Sequence, residues 1–164
     1  MRMLKGAILG YGFIAESGHA PAYRAARAAG TPIEIVAIAD ACAPRLARAT
    51  ALHPNARLYE DYRMLLERER DLDFVDVATP PAMHAEMTHA ALDRGLHVHC
   101  EKPIATRACD AAGMVEHAKR ARRVLFPSHN YKHAPVVRAV RRAIDGGLVG
   151  RVHMVTLHTF RNTH

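Results

Sequence analysis

Apolar residues along this chain fall into two alternating rhythms. Short runs such as Met3-Leu4-Lys5-Gly6-Ala7-Ile8-Leu9 and Ile33-Glu34-Ile35-Val36-Ala37-Ile38-Ala39 are dense in aliphatic side chains, as expected of strands covered on both faces. Further strands are predicted at Phe74–Ala78, Leu96–Cys100 and Val124–Pro127, with a shorter one at Arg57–Tyr59. Between them apolar positions recur at helical spacing. Ala82–Arg94 places Met83, Met87, Ala90 and Ala91 on one face and stops at Gly95, while Ala105–Arg122 turns Ala108, Ala111, Val115 and Ala118 inward. The first helical region is expected to break near Pro21. Strands alternating with helices imply right-handed crossovers and an α/β fold on a doubly wound, mostly parallel sheet.

That rhythm occupies residues 1–128, read as one domain, and it changes afterwards. Pro135–Asp145 reads as an amphipathic helix stopped by Gly146-Gly147. Arg151–Arg161 reads as a strand with Val152, Met154, His158 and Phe160 on one alternating set and Val155 and Leu157 on the other. A strand apolar on both faces expects company on both. Residues 129–164 are therefore read as a linking helix and the opening of an incomplete second α/β domain, whose uncovered edge invites self-association.

Composition narrows the partners. The formal charge is +7, from 23 Lys and Arg against 16 Asp and Glu. Much of the excess sits in Lys119-Arg120-Ala121-Arg122-Arg123, at a helix C-terminus where cations complement the dipole. No aromatic interleaving or binding motif accompanies it, so nucleic acid is not the expected partner. The three cysteines form no CxxC pair and their odd number argues against a disulfide framework, which suits reduced thiols in the cytoplasm. No apolar run reaches the roughly 20 residues needed to cross a bilayer. Twelve histidines raise a metal site, but His97 and His99 alternate on one strand and His84 and His89 do not share a helix face, so no metal is assigned.

Two segments carry the chemistry. Gly10-Tyr11-Gly12-Phe13-Ile14-Ala15 follows the first strand and opens a helix. Gly10 permits the tight turn, Gly12 lets backbone approach a pyrophosphate, and the small Ala15 allows close helix–strand packing. N–H groups around Phe13 and Ile14 would then face phosphates. Asp40 ends the second strand, where a carboxylate accepts from ribose hydroxyls, though its distance from Gly12 exceeds the usual spacing of about 20 residues. Asp40 would repel a 2′-phosphate, which favours NAD, while Arg45 in the next helix keeps NADP open. The second segment, Cys100-Glu101-Lys102-Pro103, ends another strand. In a parallel sheet the carboxyl ends share one edge, so the phosphate turn and the charged pair should meet.

With Thr79-Pro80-Pro81, His84, Asn130, Pro135 and the glycines at 147 and 150, these segments make the chain resemble the Gfo/Idh/MocA family of nicotinamide-dependent oxidoreductases from about Met3 onward. The resemblance implies an enzyme acting on a sugar, cyclitol or related alcohol or carbonyl, with NAD or NADP as cofactor. It makes Lys102 the active-site lysine, beside the nicotinamide and the reacting carbon–oxygen group. It gives Glu101 the nicotinamide end, Pro103 a turn commonly built on a cis peptide, Thr79, Pro80 and His84 the cofactor's edge, and Asn130 a place near substrate at the domain junction. Relatives carry a second domain with substrate contacts, a further acid/base and the oligomer interface, so the chain alone is expected to be catalytically incomplete. The alternative is a non-catalytic cofactor-binding or regulatory module.

Overall fold

A computed structural model of the chain describes residues 2–158. Residues 1–128 form one compact unit and the rest a second. In the first, six parallel strands are ordered β3-β2-β1-β4-β5-β6. They are β1 (Leu4–Leu9), β2 (Ile33–Ala39), β3 (Arg57–Tyr59), β4 (Phe74–Val77), β5 (His97–Cys100) and β6 (Leu125–Pro127). The helices are α1 (Ala20–Ala28), α2 (Ala43–Leu52), α3 (Tyr62–Arg68), α4 (His84–Asp93) and α5 (Ala108–Ala121). This is the doubly wound Rossmann order, with its topological switch between β1 and β4.

Alternation along the strands sends side chains to two cores. One face collects Ala7, Leu9, Ala37, Val75, Val77, Val98 and Cys100 against Leu65, Met87, Leu92 and Met114. The other carries Ile8 and Ile38 with Tyr11, Ala15, Ala20 and Ala49. Local chemistry sets the helix ends. Asp61 caps α3, accepting from Arg63 N–H at 2.8 Å, and Gly95, at φ +71°, closes α4.

Several sequence expectations are corrected. The helix after β1 does not break at Pro21: it runs on from residue 13 through a π turn at Ala15–His19, with Ala20 N–H reaching back to Ala15 O. The widened turn brings the chain to Pro21, which has no N–H to offer, as α1 begins. On α5 the buried residues are Met114 and Ala118, while Val115 and Ala108 are exposed. Val115 stands one position off the face that meets the sheet, and the helix starts at Ala108 instead of Ala105. Met83 lies in a 3₁₀ turn (Pro81–Met83) preceding α4 and faces a cleft, not the core.

The second unit holds a 3₁₀ turn at Asn130–His133 and α6 (Pro135–Asp145). The strand predicted over Arg151–Arg161 does not form within its described part, since residues 152–158 have no regular structure; Phe160 and Arg161 lie outside the described residues. Alternating apolarity specifies faces but supplies no ladder partner, and an extended segment without one gains no strand hydrogen bonds.

Candidate functional site

Each strand exit is tied to its neighbour along one edge of the sheet. Asp40 N–H donates to Tyr59 O at 3.0 Å, Gly10 N–H to Ala39 O at 2.7 Å, Ala78 N–H to Leu9 O at 2.9 Å and Glu101 N–H to Val77 O at 2.9 Å. The glycine turn, the Thr79-Pro80 segment and Glu101-Lys102-Pro103 therefore stand side by side, the meeting the parallel topology requires.

Gly10 has φ +92°, and a Cβ there would come within 2.6 Å of Thr79 Cγ2 and 3.0 Å of the Ala78 carbonyl. Only glycine fits. Gly12 differs: a Cβ would meet no protein atom within 4 Å. The space beside it belongs to a cleft of about 770 Å³ lined by Gly10, Gly12, Phe13, Ile14, Asp40 and Thr79, among others. The helix starting at residue 13 leaves its first N–H groups without intrahelical acceptors beside this space. A bare backbone, free N–H groups and a helix N-terminus fit a pyrophosphate.

Asp40 lines the same cleft, nearly buried, and also holds the turn together. Its Oδ2 accepts from Tyr11 N–H at 2.7 Å and its Oδ1 from Cys42 N–H at 2.8 Å. Oδ1 keeps a lone pair for a ribose hydroxyl. Arg45 Nη1 stands 3.5 Å from Asp40 Oδ2.

Thr79 and Pro80 line the cleft. His84 does not: it is fully buried behind them. Its Nε2 lies 2.8 Å from Thr79 O and its Nδ1 2.9 Å from Pro103 O, so the ring fastens the loop after β4 to the loop after β5. Lys102 is exposed and the Lys102–Pro103 peptide is cis. Glu101 is only 7% exposed, and its Oε2 accepts from Lys102 N–H at 3.1 Å. Asn130 belongs to the second unit, where its Oδ1 accepts from Tyr131 N–H at 2.9 Å.

Sequence reasoning missed a polar group under this edge. Asp76, fully buried on β4, pairs in register with His99 on β5. His19, at the end of the π turn, lies over both: its Nδ1 is 2.9 Å from Asp76 Oδ2 and its Nε2 3.1 Å from Glu101 Oε1. His99 Nδ1 is 3.2 Å from Asp76 Oδ1 and 3.2 Å from the Tyr23 hydroxyl. Burial pushes Asp76 up, but the His19 hydrogen bond and the nearby His99 ring bring it below its ordinary value. Burial likewise pulls His19 down, and Asp76 with Glu101 outweighs it, leaving His19 raised. Burial pushes the Cys100 thiol up to about 12. The signal was available: Asp76 is the one charge in Phe74-Val75-Asp76-Val77, a strand otherwise apolar on both faces, and such a charge needs partners.

A doubly wound sheet with a phosphate-type cleft at its switch point defines a dinucleotide-binding protein. The family model described as oxidoreductase family, NAD-binding Rossmann fold, matches residues 4–129, and the chain belongs to this Gfo/Idh/MocA family. It is 36% identical over 150 residues to D-apiose dehydrogenase of Paraburkholderia graminis, covering 92% of this chain and 38% of that protein. It is 31% identical over 161 residues to D-glucoside 3-dehydrogenase of Escherichia coli, covering 96% and 44%. The structure of the WlbA dehydrogenase from Bordetella pertussis, in complex with NADH and UDP-GlcNAcA, aligns with a TM-score of 0.82 at 28% identity, over 92% of this chain and 44% of that one. The chain thus spans less than half the length of these relatives.

Proposed function

We propose that the chain is the dinucleotide-binding part of an NAD-dependent oxidoreductase that moves a hydride between nicotinamide and a sugar, cyclitol or related alcohol or carbonyl. The observation that carries this is the juxtaposition at the strand exits, which sets the phosphate turn beside Glu101-Lys102. The sugar-acting relatives support the substrate class. The first-turn N–H groups near Gly12 hold the pyrophosphate and Asp40 takes the adenosine ribose. In the strand order, β4 and β5 lie across the switch from Asp40, so Glu101 and Lys102 serve the nicotinamide half. When bound, the nicotinamide supplies or accepts the hydride. The Lys102 ammonium donates a hydrogen bond to the oxygen on which negative charge develops.

NAD is favoured over NADP because Asp40 puts a carboxylate where a 2′-phosphate would lie, and the nearest guanidinium, Arg45, is already engaged by Asp40. The three thiols are free, which supports a cytoplasmic setting; among the described residues no helix is long and apolar enough to cross a membrane. Exposed Val136, Val140 and Leu148 in the second unit support self-association. Calorimetry with NAD⁺ and NADP⁺ tests the reading. NAD⁺ should bind at least about tenfold tighter, and Asp40→Ala should narrow the gap. Tighter NADP⁺ binding defeats the assignment. Lys102→Met should leave NAD⁺ affinity within about twofold.

A further inference from the structure

The row of side chains across one face of the sheet is Ile38, Ile8, Asp76, His99 and Phe126, each paired in register with the next. It turns from aliphatic to ionic at β4, on the nicotinamide side of the switch point. A buried charge there is costly unless it does something a hydrophobic residue cannot. What covers it is His19, brought over the sheet by the π turn, a helix irregularity frequent at functional sites. We propose that His19 is a positioning residue for the nicotinamide half of the cleft: its ring spans Asp76 and Glu101 and fixes the Glu101 carboxylate, and with it the Lys102 backbone, in the orientation the nicotinamide end meets. The inference rests on the dinucleotide reading above.

The geometry fixes the chemistry of the bridge. Carboxylate oxygens only accept hydrogen bonds, so holding Asp76 Oδ2 at 2.9 Å and Glu101 Oε1 at 3.1 Å together requires an N–H on both ring nitrogens. The remaining Glu101 oxygen accepts from Lys102 N–H. The carboxylate is thereby pinned on both sides, and losing either pin frees its torsions. The groups facing His19 are Asp76 from β4, His99 from β5 with ring centroids 4.9 Å apart, and Glu101 from the β5 exit; Tyr23 of α1 reaches the same cluster through His99. Donor atoms of His19, Asp76 and His99 also lie within 4.8 Å of one another, a spacing a cation could use. The hydrogen-bonded arrangement is favoured because both His19 nitrogens already meet carboxylates.

The test compares two ligands on the same chain: NADH, and ADP-ribose, which keeps the adenosine, pyrophosphate and second ribose but lacks the nicotinamide. Calorimetry of the unmodified chain should show NADH binding more tightly. His19→Gln should weaken NADH by about tenfold while ADP-ribose changes by less than about twofold. Glu101→Gln should do the same, and the double variant should be no worse than either single change. On the unmodified chain the NADH preference should shrink from about pH 6 to about pH 9, as His19 loses one of its two donors; this readout stands even if a variant fails to fold. Equal loss of both ligands in His19→Gln, or no loss of either, overturns the positioning role, as does an NADH preference that is absent or independent of pH in the unmodified chain. A preference that a chelator removes and added Zn²⁺ restores overturns it in favour of a cation site. An unmodified chain that binds neither ligand overturns the dinucleotide reading itself, a result distinct from binding both with His19→Gln unchanged.

Discussion

The two faces of the sheet are built on opposite principles. On one, the row Ala39, Leu9, Val77 and Cys100 runs across β2, β1, β4 and β5 without an ionised group and is sealed by Leu65, Met87 and Met114. On the other, one residue earlier in each strand, the row passes from Ile38 and Ile8 to Asp76 and His99. The first face is held mainly by packing, the second partly by charge. The polar stretch lies directly below the strand exits that carry Glu101 and Lys102. Buried charge in a sheet is expected where a site above it needs orientation more than the core needs hydrophobic area.

Two truncations should expose the difference. Asp76→Ala leaves His19 Nδ1 without its acceptor and His99 without its facing charge, and should cost about 3–5 kcal/mol in denaturant unfolding at neutral pH. Leu9→Ala on the dry face should cost about 2–5 kcal/mol. The Asp76→Ala penalty should vary with pH and the Leu9→Ala penalty should not. Equal pH profiles for the two would break the comparison.

A smaller effect probes the packing beside the polar row. Gly6 has no side chain because the Phe74 ring lies over it; a Cβ there would stand 2.1 Å from Phe74 Cζ. Phe74 in turn contacts the Tyr23 ring at 5.7 Å between centroids. Gly6→Ala should push the Phe74 ring aside and cost about 1–3 kcal/mol, read as a lower denaturation midpoint.

Smaller still is the linkage of His19 to stability. Its pKa in the fold is raised above the ordinary histidine value, so the folded state binds the proton more tightly. The stability this confers is fully present below about pH 6.5, the unfolded value, and is lost as pH climbs through the raised folded value. It amounts to about 1.4 kcal/mol for each unit by which the two values differ. The gap in unfolding free energy between the unmodified chain and His19→Gln should therefore narrow as pH rises. A gap that widens would give His19 the opposite charge preference.

Strand and turn positions were legible because their signals are local. Aliphatic runs of a few residues fixed all six strands to within a residue or two, and Gly10 and Gly95 marked turns that require positive φ. Interactions between distant segments were not legible. The family resemblance puts His84 at the cofactor's edge, yet its contacts with Thr79 O and Pro103 O make it a fastener beneath the wall. His19 touches Glu101 in space but lies most of the domain away in sequence, and the π turn that aims it has no strong local signature. Val115 was misplaced because apolar residues crowd two adjacent faces of α5, and only contact with the sheet decides between them. Of the strand expected over Arg151–Arg161, the described residues 152–158 form none, for the related reason that pairing is a property of two segments.

Gly12→Val tests the central claim most directly, because it separates folding from binding. The added side chain meets no protein atom near its Cβ and points into the cleft, so unfolding stability should change by no more than about 0.5 kcal/mol. It would occupy the ground where backbone must approach a pyrophosphate. Calorimetric titration with NADH should show clear binding by the unmodified chain and a loss of at least about a hundredfold in Gly12→Val, with the melting temperature nearly unchanged. A Gly12→Val chain that folds normally and binds NADH as tightly as the unmodified one would contradict the account, because the dinucleotide would then not lie across the turn at the β1–β4 switch.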